Sequence, residues 1–163
     1  MAAPSIAEGE IPFDAPGTSK PCKTWYKVIG DLTTPPLVAL HGGPGAGHEY
    51  MTSLTDLHDK YKIPVIYYDQ VGCGRSTRFP EKNGDSSFWT FNLFLMELEN
   101  LVKHFNLHQL GFYILGQSWG GSKCYRSHSS YILLYLFYYP YRHGLCLHRT
   151  LLPFLQYTIL YHV

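Results

Sequence analysis

Apolar and polar positions alternate over residues 23–29, and this spacing predicts a strand with one buried face. Pro35 and Pro36 then interrupt the chain before Leu37-Val38-Ala39-Leu40, a short unbroken apolar run that ends in glycines and reads as a buried strand. A second run of this kind, β-branched and aromatic, covers 63–68 and closes at Asp69-Gln70 and the glycines at 72 and 74. Between the two runs, 47–61 has the length and polarity of a crossover helix. Over 91–105 apolar residues recur at helical spacing (Leu95, Leu98, Leu101, Val102, Phe105), and 111–115 forms a third apolar strand ending at Gly116. Strand, helix, strand, helix, strand predicts an α/β fold with a mostly parallel sheet and right-handed crossovers.

The pattern stops near Gly121. All twelve acidic residues lie between Glu8 and Glu99. At average usage, a run without acids as long as the remainder has odds on the order of one in several thousand. The 42 residues after Gly121 carry eight tyrosines and no sustained period of 3.6 or 2. Such a tail is either a divergent element or sequence from an intron or shifted frame, and composition favours the second. Three segments follow: N-terminal strands over 1–35, an α/β core over 36–121, and an atypical acid-free tail over 122–163.

Composition narrows the class. The 163 residues are 45% hydrophobic and 15% charged, as expected of a folded globular domain. A net charge of +1 provides no field for nucleic acid or an anionic membrane, so neither is expected as a partner. Glu8 and Glu10 stand near the start, and no basic segment precedes an apolar one there, so a secretory signal is not expected. The expected compartment is the cytosol. Cys22, Cys73, Cys124 and Cys146 are far apart and read as reduced thiols, and the longest aromatic-apolar stretch, 131–139, is too short for a membrane helix.

The chemistry is concentrated at two strand ends. Gly116-Gln117-Ser118-Trp119-Gly120 fits G-x-S-x-G directly after a buried strand. A turn that lifts a nucleophile clear of a sheet is so sharp that side chains two before and two after it would collide, which selects glycine at both places. His41-Gly42-Gly43-Pro44-Gly45 follows an earlier strand, and such a loop exposes backbone N–H groups to a ligand. Taken together, the two motifs predict an oxyanion hole made by the amides of Gly43 and Trp119 beside the nucleophile Ser118. Gly72-x-Gly74 lacks the third glycine and the Lys-Ser/Thr pair of a phosphate loop.

With Asp69-Gln70-Val71-Gly72-Cys73-Gly74-Arg75-Ser76 added, the three motifs resemble the proline iminopeptidase family of α/β-hydrolases over roughly residues 8–121. The resemblance implies a serine peptidase that releases an N-terminal residue, often proline, from a small peptide or an amino-acid amide. It implies no metal and no organic cofactor. It also implies that Asp69 and Arg75 hold their loop near the site as structure, and that Asp69 is not the catalytic acid.

This fold places its triad in the order Ser, Asp or Glu, His, and no Asp or Glu follows Ser118. His128 would stand about 15 Å from Ser118 on a continuous helix, too far to be the base. Around His143, His148 and His162 the family's histidine motif is absent, and His143-x-x-Cys146-x-His148 lacks a fourth metal ligand. The family's acidic cap and the last strands of its sheet have no counterpart in the sequence, since its members run to about twice this length. The expectation is an incomplete α/β-hydrolase fold that is inactive as this chain. The alternatives are a non-catalytic fragment or another chemistry such as ester hydrolysis. Epoxide hydrolysis, which needs aspartate where Ser118 stands, is the weakest.

Overall fold

The computed structural model describes residues 5–43 and 45–121 and two short strands further on; the expectations for Pro44, Cys124, His128, His143, Cys146, His148 and His162 as site residues, thiols or ligands lie outside the side chains it describes. The strands are β1 (Ile6–Pro12), β2 (Lys23–Ile29), β3 (Leu37–Leu40), β4 (Val65–Tyr68) and β5 (Tyr113–Gly116), in the spatial order β1-β2-β4-β3-β5. As the apolar runs require, β3 pairs parallel with both β4 and β5, while β1 and β2 join the other side as antiparallel strands. Further on, β6 (Leu145–Leu147) and β7 (Thr158–Leu160) form a separate antiparallel pair within the predicted atypical tail.

Burial on both faces explains why β3 and β4 are apolar at every position. Val38 and Leu40 point to one side with Ile66, Tyr68 and Ile114, where α2 (Phe91–His104) supplies Leu98, Leu101 and Val102. Leu37 and Ala39 point to the other with Val65, Tyr67 and Leu115, against Met51, Leu54 and Leu57 from a 3-10 turn (Glu49–Leu54) and α1 (Thr55–Tyr61). The Thr90 hydroxyl caps α2 by accepting the Leu93 N–H at 3.2 Å. The short helix α3 (Leu107–Leu110), which has too few residues to show a period, follows Asn106 in left-handed backbone.

Three boundaries differ from the sequence pattern for local reasons. The crossover begins at Glu49, directly after His48, whose N–H donates to the Asp69 carboxylate, and it splits into a 3-10 turn and α1. Strand β4 starts at Val65 because the amides of Lys62 and Ile63 bond back to His58 and Leu57 to close α1, and Pro64 has no N–H. Strand β5 starts two residues late because the Gly111 N–H closes α3 on the Leu107 carbonyl. Among the described residues no helix is long and apolar enough to cross a membrane.

Candidate active site

Strand β5 ends at Gly116, residues 119–121 are helical, and the reversal is completed by Gln117 and Ser118. Ser118 adopts φ 53°, one of three non-glycine residues in the left-handed region among those described. A side chain there costs about 1–3 kcal/mol and persists only where the surroundings enforce it. The enforcement is steric. A Cβ on Gly116 would overlap the Gly120 backbone and come 2.6 Å from the Gly121 nitrogen; one on Gly120 would overlap the carbonyl of Leu40 and come 2.8 Å from that of His41. The Gln117 N–H donates to the Leu40 carbonyl at 3.1 Å, and the Gly120 N–H to the Gln117 carbonyl at 2.9 Å. The turn is thus pressed against the end of β3 and leaves Ser118 exposed.

The glycine loop starts at that same strand end. Gly43 has φ 126°, and its Cβ would stand 2.6 Å from the Gly45 nitrogen. His41 is fully buried: its Nε2 accepts the Gln70 N–H at 2.9 Å, so the ring proton sits on Nδ1 and is donated to the Gly42 carbonyl at 2.8 Å. The Gln70 side-chain amide returns a bond to the His41 carbonyl, also at 2.9 Å. In a trans peptide the carbonyl and the next N–H point opposite ways, so a fixed Gly42 carbonyl aims the Gly43 amide away from His41. The ring of Trp119 lies 5.7 Å from Phe91 and 5.8 Å from Phe94.

The 69–76 segment wraps around a buried carboxylate. Asp69 accepts the His48 backbone N–H and ring Nδ1–H and the Arg75 N–H, each at 2.9 Å, and its carbonyl accepts the Ser76 hydroxyl. Burial pushes the Asp69 carboxyl up, but the bonds from Arg75 and His48 outweigh it and hold the group below its ordinary value. Gly74 sits so close that a Cβ there would overlap this carboxylate, and Gly72 is covered by the Trp89 ring. Arg75 meets Asp69 only through its backbone; its guanidinium pairs with Glu8 at 3.0 Å and lies 4.7 Å from the Trp25 ring.

Three participants had no distinguishing pattern in the sequence. The His48 ring lies 4.5 Å from that of Trp25, tilted by 34°, while bonding Asp69. Glu97 is fully buried on α2, where one carboxylate oxygen accepts the Val71 N–H at 2.9 Å and the Thr24 hydroxyl at 2.7 Å. Tyr50 bridges the glycine loop and the turn at Ser118. The one cue available was position, since His48-Glu49-Tyr50 directly follows the glycine loop. Ligand atoms of His48, Glu49 and Asp69 lie within 4.8 Å of one another, but His48 Nδ1 and both Asp69 oxygens are already engaged in hydrogen bonds.

Residues 35–124 match the family model described as alpha/beta hydrolase fold. A proline iminopeptidase of Lactobacillus helveticus is 39% identical over 117 residues, which are 71% of this chain and 36% of that protein. One from Clostridioides difficile is 41% identical over 118 residues, again 71% and 36%. Among solved structures, VinJ is similar with a TM-score of 0.67 and 42% identity over 80% of this chain and 43% of its own. The proline iminopeptidase of Mycobacterium smegmatis is similar with a TM-score of 0.61 and 35% identity, over 78% and 42%. The chain therefore spans little more than a third of the curated relatives it matches.

Proposed function

The chain belongs to the alpha/beta hydrolase fold family, and on that premise we propose that Ser118 is the nucleophile of a serine-type peptidase related to proline iminopeptidases. The reading rests on one observation above all: a serine held in left-handed backbone at a strand-to-helix turn, between two glycines that have no room for a side chain. Its Oγ attacks the carbonyl carbon of the residue to be released, and the electron pair of the carbonyl moves onto oxygen. The amides of Gly43 and Trp119 stabilise that oxyanion. The C–N bond then breaks, the amine leaving with the proton that Oγ gave up, and water cleaves the resulting acyl-enzyme ester, releasing the acid and returning a proton to Oγ. The substrates are small peptides or amino-acid amides with a free N-terminal residue, often proline. The same reading places the protein in the cytosol, in keeping with the free thiol of Cys22.

Attack by serine needs a base oriented by an acid, and no Asp or Glu follows Ser118. Loss of the acid alone costs about 10⁴ in turnover, and loss of the base about 10⁶. We therefore expect the 163 residues by themselves to make a poor peptidase. p-Nitrophenolate leaves an activated ester without taking up a proton, so attack by Ser118 on such an ester depends less on a base and acid than attack on an anilide, whose amine must be protonated to depart. The experiment compares the 163-residue chain with Ser118→Ala on prolyl p-nitroanilide and on the activated ester p-nitrophenyl acetate. We expect near-background hydrolysis of the anilide and Ser118-dependent hydrolysis of the ester. Equal ester rates for the two proteins would mean that the chain retains the turn without the chemistry.

A further inference from the structure

The hydroxyl of Tyr50 accepts the Gly42 N–H and donates to Gln117 Oε1 at 3.0 Å. Gly42 immediately precedes Gly43, and Gln117 immediately precedes Ser118, so one oxygen atom joins the loop that would hold the oxyanion to the turn that carries the nucleophile. Burial does not account for this tyrosine, because it is 51% exposed. Its position comes from the 3-10 turn after the glycine loop, which the Thr52 hydroxyl tightens by donating to the Glu49 carbonyl at 2.9 Å. With His41 Nδ1–H on the Gly42 carbonyl and Tyr50 on the Gly42 N–H, both polar groups of that residue are held from different directions.

We infer that Tyr50 is a positioning residue for acyl transfer, its hydroxyl setting the separation between the Gly43 amide and Ser118. The inference rests on the reading of Ser118 as nucleophile. Without the bridge, the Gly42–Gly43 peptide and the Gln117 side chain each lose a restraint, while the contact of Gln117 with Leu40 and the glycine packing remain. Misplacement of a reacting group by about 1 Å costs on the order of 100-fold in rate. The loosening should therefore appear in kcat and leave KM unchanged.

The test uses the full 163-residue chain and p-nitrophenyl acetate. Tyr50→Phe deletes only the hydroxyl and should lower kcat at least about tenfold with KM unaltered. Gln117→Leu cuts the bridge from its other end and should cost about the same, with the double variant no worse than either single one. Gln117→Glu, which keeps an acceptor for the Tyr50 hydroxyl, should recover most of the rate. If one single variant does not fold, the other reads the same bridge. Ester hydrolysis by the unaltered chain no faster than by Ser118→Ala would overturn the nucleophile and the positioning role together. A Ser118-dependent rate that Tyr50→Phe leaves intact, or losses that add in the double variant, would overturn the positioning role and leave the nucleophile standing.

Discussion

Gly120 and Leu40 meet backbone to backbone: a Cβ on Gly120 would overlap the Leu40 carbonyl oxygen, and the Gln117 N–H donates to that same oxygen at 3.1 Å. Neither partner has a flexible end that could yield. Gly120→Ala should therefore lower the unfolding free energy by about 3 kcal/mol, the upper end of overpacking costs. Gly84 also has positive φ, at 78°, but nothing lies within 4 Å of its would-be Cβ. Gly84→Ala should cost only the backbone strain, about 1 kcal/mol. Urea denaturation of the two variants checks the contrast, and equal losses would remove packing as the reason for glycine at 120.

The proposed nucleophile can be removed in two ways that differ in strain. Ser118→Gly relieves the left-handed backbone, whereas Ser118→Ala keeps a Cβ there. The glycine variant should be more stable than the alanine variant by about 1 kcal/mol. Both should lose the serine-dependent ester hydrolysis. Thermal unfolding of the pair decides the point, and a more stable alanine variant would contradict a strained turn.

Acid should weaken the fold through Asp69. Its carboxyl sits below the ordinary value in the folded chain, so the unfolded chain takes up the proton first as pH falls. The stabilisation is complete above the unfolded value of about 3.9 and is lost as pH drops through the lower folded value. Asp85 is also lowered, through its bond from the Ser87 hydroxyl, but it lies at the surface. Asp69→Asn sets an amide against the N–H donors of His48 and Arg75 and should cost about 2 kcal/mol at neutral pH. Between pH 5 and 2 its stability should fall less steeply than that of the unaltered chain, as urea midpoints across that range would reveal.

Cys22 should be inert in the folded chain. Burial, and after it the charge of Glu97, push its thiol up to about 11, so at pH 8 almost none is thiolate. Iodoacetamide at pH 8 should leave Cys22 unmodified in native protein and alkylate it in urea, with peptide mass spectrometry as the readout. Rapid native alkylation would show that the apolar packing of Cys22 with Phe13, Phe79 and Phe88 opens readily.

Local pattern carried much of the architecture. The unbroken apolar runs that became β3 and β4 have that character because helices cover both faces of the sheet, so burial is written into each residue. The turn at Ser118 was legible because its steric demand falls on glycines at fixed offsets. Where strands began and ended was less legible, because Ile63 and Gly111 spend their amides on closing helices rather than on pairing. The sequence by itself determined the strands, the glycine-flanked turn at Ser118, the glycine loop and the lack of Asp or Glu over residues 119–163. Only the tertiary structure decided that β3 lies between β4 and β5, that Glu97 is buried under Thr24 and Val71, and that Tyr50 ties Gly42 to Gln117. The physical reason is distance along the chain: Thr24 and Glu97 stand 73 residues apart and Tyr50 and Gln117 stand 67 apart, and a hydrogen bond over such a span imposes no period on the residues between.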